Sequence, residues 1–191
     1  MSLPRHEALS RFAELLARWN TTINLVSRGD LPVLWRRHIA DSLQLGSLCG
    51  PLPACAIDLG SGAGFPGLIL AIQFALPVAL VEEDQRKAAF LREAARVTGA
   101  PVTVHADKIE RVTLPPAPLV IARGLAPVSR LLAHAERLLE PGGECWFPKT
   151  RAVEAELAEA GRQWSMQVQR VPSLTDASGV ILRISGVRRV W

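Results

Sequence analysis

The glycine-rich segment at residues 57–67, IDLGSGAGFPG, most constrains what this chain can fold into. The apolar run that leads into it predicts a strand, four glycines then fall within eight positions, and an apolar helix is predicted to follow. Glycine lets the backbone turn sharply and come close to a ligand. In an open α/β sheet such a turn lies at the carboxyl end of a strand, where nucleotide-like cofactors bind.

The acid in this segment, Asp58, bears on which cofactor the turn serves. It stands two residues before Gly60, where a dinucleotide-binding fold usually has an apolar residue. A carboxylate suits a cation, and S-adenosylmethionine carries an ammonium and a sulfonium but no phosphate. The spacing Gly62-x-Gly64-x-x-Gly67 also satisfies the NAD pattern, and a tight turn without a ligand is a further reading. The acid favours S-adenosylmethionine over NAD.

A second acid supports a nucleoside at this place. Glu82 follows the predicted strand Val78–Val81, about twenty residues after the glycines. An acid there accepts the two ribose hydroxyls, which both cofactors have. Glu83 and Asp84 come next, and one of them is expected to cap the following helix.

Strand and helix patterns alternate along the chain after an N-terminal helical region, which indicates a doubly wound α/β sheet. A closing pair of strands without a helix between them suits a methyltransferase, so we expect a Rossmann-like class I methyltransferase sheet, mostly parallel with a late antiparallel strand. We predict helices at 4–20, 66–74, 86–97, 128–139 and 152–160, one further helix capped by Asp30, and strands at 54–57, 78–81, 102–105, 119–122, 145–147, 166–171 and 180–187. The expected division is a helical extension over 1–53 and one compact cofactor-binding domain over 54–191.

Composition excludes several classes of protein. With 191 residues, 49% of them hydrophobic, the chain is long enough for one globular domain with an extension. No apolar run has the length of a membrane span and no signal peptide opens the chain, so we expect a cytoplasmic monomer. Three cysteines without metal-ligand spacing are expected to be reduced thiols, and no metal site is predicted.

The net charge of +4 is carried by nineteen arginines and only three lysines. Arginine's planar fork binds phosphates with two hydrogen bonds, so this balance favours an anionic partner such as nucleic acid. An arginine excess that only reflects genomic composition is the other reading. Composition alone does not decide between an anionic partner and genomic composition.

Residues just past the predicted strands are the candidates for chemistry, because ligands lie at that edge of the sheet. The Lys108–Ile109 pair follows the third strand, where backbone groups can read an adenine; an ordinary helix-capping loop is the alternative. Arg123 follows an apolar strand where a methyl donor would meet its acceptor, and a salt bridge to a nearby acid is the alternative. His38 and Asp41 are three residues apart in a predicted helix and share a face.

The remaining histidines look structural. His6 and His134 are expected at the surface, and His105, which ends a strand, is expected to pack.

The loop at residues 122–127, ARGLAP, indicates the kind of acceptor by what it lacks. It has no Asn/Asp-Pro-Pro-aromatic signature for methylating an exocyclic amine, and the chain has no Pro-Cys pair to attack a pyrimidine. The acceptor should then be nucleophilic already, as N7 of guanine is. Such an enzyme has only to position the reactants and balance charge, without a general base.

The motifs together resemble those of the RsmG (GidB) family, bacterial methyltransferases that act on N7 of a guanine in 16S ribosomal RNA. The resemblance rests on Asn24-Leu25-Val26, Arg37-His38-Ile39-x-Asp41-Ser42-Leu43, the 58–67 segment, Arg123 and Phe147-Pro148-Lys149. It covers nearly the whole chain and is weakest after Arg151. This sequence departs from the family's pattern at two places. It has Lys108-Ile109 where Val-Glu or Ala-Glu is usual, and Lys149-Thr150 where Lys-Gly is usual.

The resemblance implies cofactor contacts at Gly60, Phe65, the Lys108–Ile109 pair and Arg123, and the residues discussed above complete the expected site. Contacts to S-adenosylmethionine are expected from Asp58, Gly60, Gly62, Phe65, Glu82, Lys108, Ile109 and Arg123. The catalytic centre is expected to include Arg123, Lys149 and His38. The RNA partner, 16S RNA within the 30S subunit or an assembly intermediate, is expected to contact Arg28, Arg36, Arg37 and Lys149 around the pocket mouth, with Arg188 and Arg189 extending that surface.

Two other functions use the same features. An NAD-linked oxidoreductase would use the glycine-rich loop, and Asp58 argues against it. A non-catalytic RNA-binding module would retain the methyltransferase fold without the reaction.

Overall fold

The computed structural model describes residues 4–150 and 153–190. Its centre is one seven-stranded sheet in the order β3-β2-β1-β4-β5-β7-β6. The strands are β1 Ala56–Leu59, β2 Val78–Val81, β3 Val102–His105, β4 Ala117–Ile121, β5 Leu139–Lys149, β6 Trp164–Pro172 and β7 Val180–Arg189. The first five are parallel, and β7 runs antiparallel between β5 and β6. The predicted doubly wound sheet with a late antiparallel strand is confirmed.

Helices cover both faces of the sheet. They are α1 Arg5–Trp19, α2 Asp41–Leu48, α3 Gly67–Phe74, α4 Gln85–Thr98, α5 Val128–Ala135 and α6 Val153–Ala160. Helices α1 to α4 pack on one face, and α5 and α6 pack on the other. Side chains alternate across a strand, so Ile57 and Leu59 enter the core under α5 and α6, while Asp58 faces α3.

Several observed strand and helix boundaries differ from the predicted ones. β1 ends at Leu59 and not at residue 57, so Asp58 is a strand residue and does not follow the strand. α5 ends at Ala135 and not at residue 139, because the Leu138 carbonyl already accepts from the Ala117 N–H. The Pro141-Gly142-Gly143 run therefore lies inside β5, at the register shift between β4 and β5, and does not close the helix as predicted.

The segment after α1 also differs from its prediction. Asp30 does not cap a helix with its side chain; it accepts from the Ser27 hydroxyl at 2.8 Å and pairs with Arg37. The chain then forms a 3-10 turn at Leu31–Val33 and a π-helical stretch at Trp35–Ala40 before α2. Wider π-helical turns often mark functional sites, and this one carries His38.

The N-terminal region shares the core of the sheet. Phe12, fully buried in α1, lies edge-on to Phe65 with ring centroids 5.6 Å apart and 6.1 Å from the ring of Phe90 in α4. Trp19 packs on the same ring of Phe90. α1 is thus fixed to the glycine-rich loop itself, through Phe65, and to α4.

Two features of the structure bear on the expectations about membrane spans and metal sites. In the described part of the chain, no helix has the length and apolar character needed to cross a membrane. Over the same residues, no group of three or more metal-ligating side chains is found together.

We expect Phe12→Ala to lower the free energy of unfolding by about 3–5 kcal/mol, because it removes a fully buried ring and leaves a cavity between α1, α3 and α4. Urea unfolding followed by circular dichroism measures the change. Leu174→Ala is the control, since Leu174 is 74% exposed and its truncation should change stability by less than about 0.5 kcal/mol. Equal losses in the two variants would contradict the assigned packing of α1.

Candidate active site

The glycine-rich loop is shaped by backbone conformations that other residues rarely adopt. Gly60, Gly62 and Gly64 have φ values of +65°, +56° and +93°. Gly67 has an ordinary φ, but a Cβ there would lie 2.6 Å from Asp58 Oδ2. The loop therefore folds back directly onto the carboxylate of β1.

Asp58 is fully buried beneath this loop. Its Oδ2 accepts from the Gly67 N–H at 3.1 Å, and its backbone carbonyl accepts from the Ser61 hydroxyl at 3.1 Å. Its Oδ1 has no hydrogen-bond partner among the described residues. Burial raises the pKa of Asp58 to about 7, and the Gly67 hydrogen bond to the carboxylate only partly opposes that shift. One buried acceptor atom of Asp58 is thus left for a ligand donor.

Glu82 connects the end of β2 to the same loop. Its Oε2 accepts from the Gly62 N–H at 2.8 Å and its Oε1 from the Asp84 N–H at 2.9 Å. Each carboxylate oxygen has a further lone pair, so Glu82 can still accept from two hydroxyls. Asp84 caps α4 by accepting from the N–H groups of Arg86 and Lys87, as predicted for one of the two acids after Glu82.

The loop after β3 is well ordered by its own hydrogen bonds. The Lys108 N–H donates to Asp107 Oδ1 at 2.7 Å, and the Lys108 carbonyl accepts from two N–H groups of the next turn. The Ile109 carbonyl accepts from Arg137, and the Ile109 side chain packs against the core under α5 and α6. Contact of this pair with an adenine stays a prediction.

A cavity of about 960 Å³ opens at the carboxyl ends of β4 and β5. Its walls come from the π-helical stretch and α2, the loop after β4, the end of β5 and the turn between β6 and β7. Gly60, Gly62 and Glu82 do not line it. Leu125, which does, covers the glycine-rich loop: a Cβ on Gly60 would lie 2.8 Å from Leu125 Cδ1. The cavity and the loop are therefore neighbours, separated by Leu125.

Arg123 stands at the boundary between the cavity and the loop. Its Nη1 donates to Asp41 Oδ2 at 3.0 Å, its Nη2 donates to His38 Nδ1 at 2.8 Å, and its guanidinium carbon lies 5.1 Å from the centroid of the Phe65 ring. The structure thus shows the salt bridge given above as the alternative for Arg123, and it confirms that His38 and Asp41 share a face. Phe65 is buried here, with His38 stacked on it at 5.0 Å.

The protonation state of His38 follows from these neighbours. Burial and the adjacent Arg123 cation lower the pKa of His38, so its ring is neutral at pH 7. Because Nδ1 accepts from Arg123, the proton of the neutral ring is on Nε2, which faces Asp30 Oδ2 at 3.5 Å. His38 is thus an orienting partner of Arg123, with its Nδ1 lone pair already used.

Lys149, at the end of β5, also lines the cavity as a paired cation. Its Nζ donates to the Ala126 carbonyl and to Glu156 Oε2, both at 2.7 Å. The same Glu156 oxygen accepts from the Val128 N–H at the start of α5. Lys149 therefore joins the loop after β4 to α6 and keeps one N–H for a ligand.

The other basic candidates divide by position. Arg36 and Arg37 line the cavity, whereas the exposed Arg28 does not. The expected extension through Arg188 and Arg189 is wrong: β7 starts beside Lys149 at Val180 and runs away from the cavity, so Arg188 lies roughly 27 Å farther along the strand.

Among the histidines, His6 is exposed and His105 is half-buried. The expectation of a surface position for His134 is wrong. Its side chain is only 13% exposed, and its Nε2 lies 3.7 Å from Glu110 Oε1.

Gln44, Ser173 and Thr175 are among the cavity residues that the sequence alone did not indicate. They hydrogen-bond to one another across 129–131 positions of sequence, which no local pattern can indicate.

The chain is similar in sequence to known proteins over nearly its whole length. The family model for GidB, described as rRNA small subunit methyltransferase G, matches residues 5–182. The ribosomal RNA small subunit methyltransferase G of Gluconobacter oxydans is 52% identical over 190 residues, which are 100% of this chain and 98% of that protein. The protein of the same name from Rhodospirillum centenum is 52% identical over 95% of this chain and 84% of its own length.

Solved structures share the fold at low identity. A class I S-adenosylmethionine-dependent methyltransferase from Listeria monocytogenes, itself described as putative, superposes with a TM-score of 0.64 at 13% identity, over 96% of this chain and 68% of its own. The glycopeptide N-methyltransferase MtfA gives 0.65 at 13% identity, over 83% and 98%. The chain has the class I methyltransferase fold.

We expect the free energy of unfolding of the wild type, relative to Asp58→Asn, to fall as pH rises from about 4 to about 7. A carboxyl with a raised pKa holds a proton in the folded state that the unfolded chain has already released in this window, so folding loses stability with rising pH. The difference should grow by up to about 1.4 kcal/mol per pH unit. Urea unfolding at pH 5, 6, 7 and 8 measures it.

Asp84→Asn is the matched control for this titration. Asp84 is exposed and its capping hydrogen bonds lower its pKa, so it is ionised in both states above pH 5 and its loss should leave the slope unchanged. Parallel wild-type and Asp58→Asn profiles between pH 5 and 8 would show that Asp58 is not held in a desolvated site.

Proposed function

Since the chain belongs to the GidB family, the small-subunit rRNA methyltransferases G, we propose that it transfers the methyl group of S-adenosylmethionine to N7 of a guanine in 16S ribosomal RNA. The observation that carries the proposal is the placement of Arg123 between the glycine-rich loop and the large cavity. The loop is suited to the methyl donor and the cavity to the acceptor base. Family membership argues against the NAD-linked oxidoreductase and the non-catalytic RNA-binding module.

The residues around the loop fit S-adenosylmethionine, which supplies the methyl group when bound. Asp58 Oδ1 is a buried acceptor that has no partner among the residues the structure describes, so a donor of the cofactor can satisfy it, and Glu82 keeps lone pairs for two ribose hydroxyls. Gly60 and Gly62 have no side chain to obstruct the cofactor, and a Cβ at Gly62 would meet no atom nearer than 3.9 Å, whereas Leu125 lies against Gly60. Phe65, Lys108, Ile109 and Arg123 complete the proposed cofactor-binding set.

The acceptor side fits an atom that needs no deprotonation. The N7 lone pair of guanine lies in the ring plane, so attack on a methyl group requires orientation and not proton removal. Nδ1 of His38, the nearest candidate base, already accepts from Arg123. We therefore assign to His38 the orientation of Arg123 and not proton abstraction.

Two cations of the cavity, Arg123 and Lys149, are balanced by neighbouring acids. Arg123 is paired with Asp41 and Lys149 with Glu156. Methyl transfer to N7 makes the guanine cationic while the sulfonium is discharged, so a cavity with unpaired positive charge would oppose the product. Paired cations can donate hydrogen bonds to guanine O6 while adding little net field, since Arg and Lys commonly bind O6.

The RNA is proposed to approach over the helical region at 1–53. Arg36 and Arg37 lie at the cavity wall, and Arg28 lies outside it in the exposed turn before Asp30. Phosphate contacts from these arginines would orient the strand while the cavity takes the base. We propose that a cytoplasmic monomer acts on the 30S subunit or an assembly intermediate. Residues 1–53 would contribute Arg28, Arg36 and Arg37 to RNA contact, while 54–191 bind the cofactor and supply Lys149 to the base.

Glu82→Ala should raise the dissociation constant of S-adenosylhomocysteine about tenfold or more, since a charge-assisted hydrogen bond contributes roughly 1.5–3 kcal/mol. Calorimetric titration measures the affinity, with NADH titrated in parallel. Glu83→Ala is the control, because Glu83 is the exposed neighbour with the same charge. Unchanged affinity in Glu82→Ala, or binding of NADH alone, would mean that the nucleoside site is misplaced.

Lys149→Ala should retain cofactor affinity and lower kcat by at least about tenfold, because Lys149 is assigned only to the base. Arg123→Ala should weaken both properties, since Arg123 also contacts the cofactor side. Tritium transfer from labelled S-adenosylmethionine to 16S RNA measures turnover, on naked RNA and on 30S subunits, with the methylated base identified by digestion.

Arg162→Ala provides the control for lost charge, because Arg162 is an exposed cation outside the cavity lining. Wild-type turnover in Lys149→Ala would show that this lysine has no role toward the base. Label on another atom than guanine N7 would overturn the proposed reaction itself.

A further inference from the structure

The Asp41 carboxylate is shared between two distant parts of the chain. Its Oδ2 accepts from Arg123, while its Oδ1 accepts from the Thr175 hydroxyl at 2.6 Å and from the Gln44 side-chain amide at 2.7 Å. With both oxygens engaged, the carboxylate cannot rotate without losing a hydrogen bond on one side. The direction of the Arg123 guanidinium is therefore coupled to the turn between β6 and β7, which carries Thr175.

Gln44 holds that turn against α2. It is 5% exposed; its Nε2 donates to Thr175 Oγ1 at 2.9 Å, and its Oε1 accepts from the Leu174 N–H at 2.7 Å. Thr175 thus accepts from Gln44 and donates to Asp41, so that the three groups form one directed chain of hydrogen bonds. Buried polar groups satisfied in this way stay in a single arrangement.

The other side of Arg123 is fixed as well. His38 Nδ1 accepts from Nη2, and the Phe65 ring lies against the guanidinium face. A guanidinium has five N–H donors, of which His38 and Asp41 take two. The remaining donors can serve a ligand, and the neighbours of Arg123 decide where these donors point.

We propose that Gln44 and Thr175 are positioning residues, which fix the Arg123 guanidinium through Asp41 for contact with the acceptor base. This inference rests on the proposed function, because it names residues that serve the same site. Gln44 lies in α2, which precedes β1, and Thr175 lies in the turn that follows β6. Both act at one remove from the substrate. Small misplacement of a positioning group costs large factors in rate, up to about a hundredfold for 1 Å.

The first experiment removes one hydroxyl without changing the shape of its side chain. Thr175→Val should lower kcat on 16S RNA about tenfold, with the KM for RNA and the cofactor dissociation constant changing much less. Thr175→Ser keeps the hydroxyl and should restore the rate. Ser178→Ala is the matched control, because its hydroxyl lies in the same turn and donates to Asp176, not to Asp41 or Gln44. Loss of rate in Ser178→Ala equal to that in Thr175→Val would overturn the proposal.

The second experiment asks whether Thr175 acts through Arg123. In the Arg123→Ala background, adding Thr175→Val should lower the residual rate no further, since the group to be positioned is already absent. Independent, additive losses would show that Thr175 only supports the local fold.

A third measurement does not require turnover. The Arg123 cation lowers the pKa of His38, whose other charged neighbours are Asp30 and Arg37. If Thr175→Val releases Arg123, NMR titration of the His38 ring should show a higher pKa than in the wild type, and Thr175→Ser should not. An unchanged His38 pKa in Thr175→Val would overturn the proposed coupling. Absence of methyl transfer in the wild type, in contrast, would overturn the proposed function and leave this result valid.

Discussion

Two buried carboxylates hold the glycine-rich loop, and the rest of the site depends on that anchoring. Asp58 accepts from the Gly67 N–H and Glu82 from the Gly62 N–H, so the loop is bound at both ends to adjacent parallel strands. Backbone N–H groups at a tight turn must find acceptors, and here side chains of β1 and of the residue after β2 supply them. The position of Phe65 follows, and with it the surface on which His38 and Arg123 lie.

This anchoring has a cost that bears on function. Asp58 is placed where water cannot reach it, and its pKa rises to about 7 because the charged form lacks solvation. A neutral side chain would suit the folded protein better in the absence of a ligand. A carboxylate kept in such a place is what a cationic ligand can stabilise, since it supplies the countercharge that water cannot. Binding sites often contain groups that, like this desolvated carboxyl, lower the stability of the fold but are needed for activity.

The sequence allowed prediction of features that depend on neighbouring residues, and it did not reveal those that depend on distant ones. The glycine-rich turn, the Asp84 cap and the shared face of His38 and Asp41 all arise within a few positions of chain, and the structure confirms them. The early start of β5 depends on pairing with β4, which overrides the helical pattern before it.

The cavity wall opposite Arg123 is a feature of the second kind. Its members Gln44 and Thr175 are ordinary polar residues in sequence. Only the antiparallel return of β7 brings the turn that carries Thr175 against Gln44 in α2. The same topology carries Arg188 and Arg189 away from the cavity, against expectation. Long-range strand order therefore decided both the missed residues and the misplaced ones.

The pairing of every cation at the centre of the cavity is consistent with the proposed chemistry. Arg123 and Lys149 each have a carboxylate partner within 3.0 Å, while the arginines at the outer wall are more exposed. Phosphates need unbalanced positive charge, which belongs at the mouth, where water screens it and counterions can be released. A base that becomes cationic during the reaction needs hydrogen-bond donors whose charge is already balanced. Going inward, exposed arginines at the wall, of which Arg37 also pairs with Asp30, give way to less exposed cations that each have a carboxylate partner. This change separates the two requirements within one continuous surface.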